Sequence, residues 1–290
     1  RAALPQDKLR EVLEALAHKG VVFKLYEDVP RYCLVAMLPG IYEFQVGRMS
    51  PAMVRLFEQY YTEKLGKAVF RSTTSFGRII PVHTAVKADL NILTCEEAGS
   101  IVDNASLVTL ADCICRVNLR MIGRGCDAPA DEICIIFDSW ARYYAENGLG
   151  RSATKQEARD ALRRADQAGL VHNTLNAQKG VLFICNCCGC CCGMLRGITQ
   201  LNIPTAVAKS GFIAAVAQDA CTGCGICAQR CQVAALAVKD DRAVLHEDRC
   251  IGCGVCVAGC PTGAISLKRR ANPPEMPQSA QRMFMKIALE

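Results

Sequence analysis

The sequence predicts an α+β protein built from several regions, and three observations support this fold class. Residues 1–92 alternate between helix-like and strand-like segments, residues 93–215 contain most of the other cysteines within α/β elements, and residues 216–268 repeat one cysteine motif. A proline-containing linker and a short amphipathic helix occupy residues 269–290. With 290 residues, 51% of them hydrophobic, the chain can bury a substantial core.

The first 92 residues are predicted to contain two helices and two strands. Apolar positions at helical spacing indicate a helix over residues 7–19, and residues 21–26 and 32–38 have the pattern of strands. Ser50 and Pro51 are typical of the start of a second helix. This order resembles the second half of a winged-helix domain and predicts an interaction region. No candidate helix is rich enough in Lys and Arg to favour binding to nucleic acid.

The middle region, residues 93–215, contains ten closely grouped cysteines. Six of them lie within residues 185–192. Free thiols at this density have no packing role that Ala or Val would not fill, so metal ligation is the better explanation. We predict at least one iron–sulfur cluster here, in addition to those of the C-terminal cysteine runs described below, with zinc as the alternative for one of the sites. The candidate ligands are Cys113, Cys115, Cys126, Cys134, Cys185, Cys187, Cys188, Cys190, Cys191 and Cys192.

Spacing does not assign these ligands to individual sites. One arrangement gathers Cys113, Cys115, Cys126 and Cys134 around one cluster, while the 185–192 segment holds another or shares ligands with the first. If that segment is extended, side chains alternate in direction, so that Cys185 and Cys187 face one side and Cys188 the other.

Two further expectations concern the surroundings of these thiols. Arg116 directly follows Cys115 and is expected to donate hydrogen bonds to cluster sulfur. Residues 131–146 have a helical pattern, which would place Cys134 near a helix N-terminus, where thiolates are stabilised.

Two cysteine runs near the end of the chain share the spacing C-x2-C-x2-C-x3-C. Three thiolates on one tight loop can bind three irons of a 4Fe–4S cluster, and the fourth iron is then ligated from elsewhere. Structural zinc sites seldom use this triple spacing, so two zinc sites are the weaker explanation. The runs consist of Cys221, Cys224, Cys227 and Cys231, and of Cys250, Cys253, Cys256 and Cys260.

Residues 216–268 therefore resemble the two-cluster bacterial-type ferredoxin domain. The cysteine segments ahead of it, at residues 113–116 and 185–192, resemble those of a broad family of anaerobe iron–sulfur proteins that carry an extra cysteine-rich domain. The resemblance implies two 4Fe–4S clusters, each ligated by the fourth cysteine of the other run. One cluster would take Cys221, Cys224, Cys227 and Cys260, and the other Cys250, Cys253, Cys256 and Cys231. Gln232 departs from the family pattern, because Pro usually follows this fourth cysteine, as Pro261 does in the second run.

These features predict an iron–sulfur electron-transfer protein or subunit that relays single electrons to or from a larger oxidoreductase complex, its expected redox partner. One alternative is an iron–sulfur reductase with a substrate-binding cluster in the middle region. Another is a redox-responsive DNA-binding regulator. The sequence identifies no catalytic residues, since it has no Gly-rich phosphate loop and only four histidines.

Charge and hydropathy restrict the setting. The formal net charge of +6 falls to roughly +2 once two clusters with four thiolates each are bound, so it gives little support to nucleic-acid binding. No apolar run reaches the roughly 18 residues of a membrane span. Twenty cysteines without a secretory signal favour reduced thiols in an anaerobic or strongly reducing cytoplasm.

Overall fold

The computed structural model describes residues 4–82, 85 and 96–290. Its first part confirms the predicted helices and strands, with different ends. Helix α1 (Gln6–His18) precedes a hairpin of β1 (Phe23–Leu25) and β2 (Arg31–Cys33). Helix α2 (Pro51–Tyr60) is followed by a wider helical turn and by α3 (Gly66–Val69). The Ser50 hydroxyl accepts a hydrogen bond from the Met53 N–H, which confirms the predicted start of α2. The winged-helix resemblance stays a prediction.

A six-stranded antiparallel sheet forms the centre of the described structure, with the strand order β3-β7-β8-β5-β4-β6. Its strands are β3 (Gly77–Ile80), β4 (Val108–Ala111), β5 (Cys134–Phe137), β6 (Arg151–Ser152), β7 (Val171–Leu175) and β8 (Phe183–Cys187). The accompanying helices are α4 (Ala98–Asn104), α5 (Ile114–Met121), α6 (Asp138–Glu146), α7 (Lys155–Gln167) and α8 (Gly193–Thr199). Strand β3 precedes the predicted boundary at residue 92 yet pairs with β7. The boundary itself, His83 and Cys95 lie outside the described residues.

The two faces of this sheet have different coverings, because alternate strand residues point to opposite sides. Ile135 and Ile184 are register partners and pack in the apolar layer that α4 and α7 form on one face. Cys134, Cys185 and Cys187 belong to the layer on the other face. The aromatic side chains Phe23, Phe44 and Trp140 pack on one another in that second layer. The strands therefore present their cysteines to the face that the N-terminal region covers.

Cys134 lies in a strand, so the prediction that it stands near a helix N-terminus is wrong. Strand β5 pairs with β4 on one side and β8 on the other, and α6 begins only at Asp138. The Asp138 backbone has a φ of 52°, and its carboxylate accepts the N–H groups of Ser106 and Leu107. Continuous apolar character suits a strand buried on both faces, so pairing overrides the helical pattern here.

The C-terminal part contains two small antiparallel pairs and two short helices. Strand β9 (Phe212–Val216) pairs with β12 (Ile265–Arg269), and β10 (Leu236–Lys239) pairs with β11 (Arg242–Leu245). The helices are α9 (Ile226–Arg230) and α10 (Val255–Ala258). Asp240 and Asp241 form the turn between β10 and β11, and both have positive φ, as this kind of hairpin turn requires.

The tail helix α11 (Ala280–Leu289) packs against the body of the protein. The Ser279 hydroxyl caps it by accepting the Arg282 N–H, and Met283 is completely buried. This confirms the predicted amphipathic helix. Among the described helices, none combines the length and the apolar character that crossing a bilayer would take.

Candidate metal centres

The eight cysteines of the two C-terminal runs lie in two sets. A small cavity of about 20 Å³ is lined by Cys221, Cys224, Cys227 and Cys260, the first set implied by the resemblance. Cys231 and Cys250 act electrostatically on both Cys253 and Cys256, and these four cysteines form the second set. Each set therefore combines three thiols of one run with the fourth thiol of the other, which fits the thiolate donor set of a 4Fe–4S cluster.

Backbone N–H groups point at sulfur in both sets. The Ala243 N–H donates to Cys221 Sγ at 3.3 Å, and the Ala235 N–H donates to Cys231 Sγ at 3.1 Å. The bond from Ala243 lowers the pKa of Cys221. Such bonds stabilise the thiolate and raise the potential of a bound cluster. Strands β10 and β11 and the loops next to them thus tune the site in addition to holding it.

Six of the ten middle-region cysteines form a closed ring of thiols on the covered face of the central sheet. Each thiol has two of the others as hydrogen-bonding neighbours. In order, this six-thiol ring consists of Cys113, Cys115, Cys192, Cys187, Cys185 and Cys134. Strands β5 and β8 supply three members, the start of α5 supplies two, and the residue before α8 supplies the last. The sequence expectation grouped Cys126 with Cys113, Cys115 and Cys134, but Cys126 lies elsewhere.

The pKa values alternate around the six-thiol ring. Hydrogen bonds from neighbouring thiols lower the pKa of Cys113 and Cys192 well below the ordinary value and that of Cys185 to about 6. The same hydrogen bonds raise the pKa of the three thiols that alternate with these, Cys115, Cys134 and Cys187, so these three thiols hold the protons. Buried neighbouring thiols cannot all ionise without a cation among them. Metal binding at the ring must therefore displace protons.

The other four cysteines form a second, tighter group, the four-thiol group. It consists of Cys126, Cys188, Cys190 and Cys191, whose sulfurs all lie within 4.8 Å of one another. Cys188 belongs to it, while Cys185 and Cys187 belong to the ring, which confirms the predicted alternation along this segment.

Arg116 connects the four-thiol group to the strand that carries the ring. Its buried guanidinium donates to Cys188 Sγ at 3.5 Å and to the Asn186 carbonyl at 2.9 Å. Hydrogen bonding from Cys191, together with Arg116, lowers the pKa of Cys188 to about 5. Arg116 thus donates to the sulfur of a candidate ligand, while the expected hydrogen bond to cluster sulfur stays a prediction.

A cavity of about 100 Å³ lies against the six-thiol ring. All six ring cysteines contribute to its wall, and the aromatic side chains of Tyr42, Tyr61 and Trp140 form much of the rest. The Glu43 carboxyl also faces this cavity and accepts the Gly40 N–H at 2.6 Å. Burial of the carboxyl group raises the pKa of Glu43 to about 8. This carboxyl group is therefore mainly protonated at neutral pH and can donate a proton beside the thiols.

A buried ion pair joins the N-terminal region to the helix that follows the cysteine segment. The Glu58 carboxylate on α2 accepts a hydrogen bond from Arg196 Nη1 on α8 at 3.0 Å, and its other oxygen lies 2.8 Å from Arg196 Nη2 as an ion pair. Both side chains are less than 8% exposed. The Arg196 guanidinium also stacks on Tyr61, 4.6 Å from the ring centroid. This pair fixes the α2 side of the cavity.

The C-terminal part contacts the cysteine segment directly. Gln232, which follows Cys231, accepts the Gly189 N–H and donates to the Gly169 carbonyl, both at 2.8 Å. A β-carbon on Gly189 would come within 2.0 Å of the Gln232 carbonyl oxygen, so only glycine allows this approach. The residue that departs from the ferredoxin pattern therefore forms the contact with the middle region.

A second contact comes from Arg230 on α9. Its guanidinium donates to the Asp166 and Gln167 carbonyls at the end of α7, at 2.8 and 3.4 Å. A cation at a helix C-terminus is favourable, because the last carbonyls lack partners within the helix.

Sequence reasoning missed Glu43, Glu58 and Arg196. Arg196 lies one helical turn after Cys192, and this spacing is the signal that could have identified it. Glu43 begins a short 3-10 helix, and no pattern in the sequence points to it. His172 on β7 is 1% exposed, and its ring nitrogens lie within hydrogen-bonding distance of Asn186 and Asp166.

Residues 214–267 match the family model of the 4Fe-4S dicluster domain. No curated protein matches the chain. The matched segment spans β9 to β12 and contains all eight cysteines of the two runs. This part of the chain is therefore similar to 4Fe-4S dicluster domains, in agreement with the two sets of thiols described above.

Proposed function

We propose that this protein relays single electrons between a redox partner and a further iron–sulfur centre at the six-thiol ring, through two 4Fe–4S clusters in its C-terminal domain. The observation that carries the proposal is the contact at Gln232. Gln232 directly follows the candidate ligand Cys231 and accepts a hydrogen bond from the Gly189 N–H. Gly189 in turn belongs to the cysteine segment that ends at Cys192 of the ring. Such a short connection favours electron transfer between the two parts.

Burial supports a direction for this relay. Cys224 of the first set is exposed, whereas all four cysteines of the second set are buried or partly buried. A partner protein, such as a larger oxidoreductase complex, would therefore exchange electrons at the first set. The second set lies on the side of Gln232 and the middle region.

The protein's own contribution is to position the thiols and to set their electrostatic surroundings. Bound clusters supply the one-electron redox chemistry. The N–H groups of Ala235 and Ala243 stabilise the reduced state by donating to ligand sulfur, and the closely packed aromatic cover limits access of water to the ring.

The test is the iron and acid-labile sulfide content of anaerobically purified protein, with EPR spectra recorded during stepwise reduction. Two ferredoxin-type clusters account for about eight irons, and a cluster at the ring raises the count to about twelve or more. Cys113→Ala should remove the additional signal, while Cys33→Ala, at an exposed thiol on β2, should leave it unchanged. A count of about eight in the unchanged protein, with only ferredoxin-type signals, would refute a relay that extends to the ring.

The cavity favours a second candidate, an iron–sulfur reductase that binds its substrate at the ring. A protonated carboxyl group beside six thiols can deliver a proton as electrons arrive, and the apolar aromatic wall suits a small uncharged substrate. Small electrophiles should then change the additional EPR signal, and Glu43→Gln should abolish substrate reduction while leaving the iron content unchanged. An EPR signal indifferent to all added substrates would favour the relay alone.

A further inference from the structure

The four-thiol group has the dimensions of a site for one metal ion. The sulfur of Cys126 is 3.7 Å from those of Cys188 and Cys191, and the sulfurs of Cys190 and Cys191 are also 3.7 Å apart. A tetrahedral metal with four sulfur ligands at about 2.3 Å has ligand-to-ligand edges of about 3.8 Å. The observed separations agree with that geometry.

All four sulfurs of this group lie closer to one another than the thiolates of an iron–sulfur cube do. The thiolates of a 4Fe–4S cluster surround a core of eight atoms, and therefore lie roughly 6 Å apart. The two C-terminal sets provide an internal comparison. Among the described residues, no three of their cysteines have sulfurs within 4.8 Å of one another, and the four-thiol group alone has this close spacing.

We propose that Cys126, Cys188, Cys190 and Cys191 bind one zinc ion in a structural site. Four cysteine ligands complete a tetrahedral shell and leave no open position for substrate, which is typical of structural zinc. The Arg116 guanidinium, bonded to Cys188 Sγ, offsets part of the negative charge that four thiolates bring to a divalent ion. A tetrahedral set of four sulfur ligands is typical of zinc or of iron–sulfur sites, and the close spacing of these sulfurs favours zinc over a cube.

The site would connect two segments that are far apart in sequence. Cys126 lies in the loop after α5, and the other three ligands lie in the turn between β8 and α8, beside Gly189. Zinc would therefore fix the turn that receives Gln232 from the C-terminal part. Because zinc has no redox chemistry, this site is independent of the proposed relay, whose further centre is the six-thiol ring.

The test is the zinc content of the anaerobically purified full chain, with zinc K-edge X-ray absorption to identify the ligands. We expect one zinc per chain, bound by four sulfurs at about 2.3 Å. Cys190→Ser changes the exposed member of the group and should remove the zinc with no loss of iron, whereas Cys33→Ser should retain both. The X-ray absorption measurement uses the unchanged protein, so its result does not depend on whether a variant folds.

Three results would overturn the proposal. The first is an unchanged protein that contains no zinc. The second is zinc that is bound through nitrogen or oxygen, or that remains after Cys190→Ser. The third is a loss of about four irons in Cys190→Ser, which would assign a cube to the four-thiol group. That third result would leave the relay intact and add a centre to it.

Discussion

Gln232→Ala should loosen the contact between the C-terminal part and the cysteine segment. The Gln232 side chain makes two hydrogen bonds across this contact, to Gly189 and Gly169, both at 2.8 Å. At about 1 kcal/mol each, their loss destabilises the closed contact by about 2 kcal/mol. This free energy corresponds to an opening equilibrium that is roughly 30-fold more populated.

Amide hydrogen exchange of Gly189, followed by mass spectrometry of fragments from the intact protein, measures this opening. Exchange should be roughly 30-fold faster in Gln232→Ala, because the Gly189 N–H loses its acceptor and its protection follows the local opening free energy. Gln232→Pro should have the same effect, although Pro is the usual ferredoxin residue, because it cannot accept this hydrogen bond. Gln229→Ala changes an exposed glutamine on the preceding helix α9 and serves as the matched control. Equal exchange at Gly189 in the Gln232 variants and in this control would refute the reasoning.

Three further predictions concern the middle and N-terminal regions. Glu58→Gln leaves the buried Arg196 without its charge partner and should cost about 3 kcal/mol, which lowers the unfolding midpoint by roughly 6–12 °C. Glu27→Gln, which breaks the exposed pair with Arg31, should not change that midpoint, and equal midpoints for the two variants would contradict the role of burial. Arg116→Gln should weaken metal binding by the four-thiol group by about 10- to 100-fold, measured in competition with a chelator. Arg163→Gln, at an exposed arginine on α7, should leave the metal affinity unchanged, and equal affinities in the two variants would show that Arg116 has no such effect. Trp140, the one tryptophan of the chain, lines the cavity at the six-thiol ring. A cluster bound at the ring should therefore quench its fluorescence, and the fluorescence should recover in Cys113→Ala. Equal fluorescence in the unchanged protein and in Cys113→Ala would contradict a cluster at the ring.

Local sequence determined the elements whose signals are complete within a few residues. Thr154 and Glu157 predict a capping box, and the structure has both of its hydrogen bonds at the start of α7. The cysteine spacing likewise identified the dicluster segment, because three ligands of each cluster come from one loop. The alternation of side chains correctly separated Cys188 from Cys185 and Cys187.

The grouping of the middle-region thiols depended on contacts between distant residues. Cys134 joins the six-thiol ring because β5 pairs with β8, and Cys126 leaves it because the loop after α5 reaches the turn at Cys188. Neither contact has a sequence signal, since strand pairing and loop direction depend on the whole sheet. The role of Gln232 was equally hidden, because its partner Gly189 is 43 residues away. The sequence by itself therefore determined which residues can bind metal, and tertiary structure decided which of them share a site, because a metal centre is defined by distances between sulfurs that the fold alone brings together.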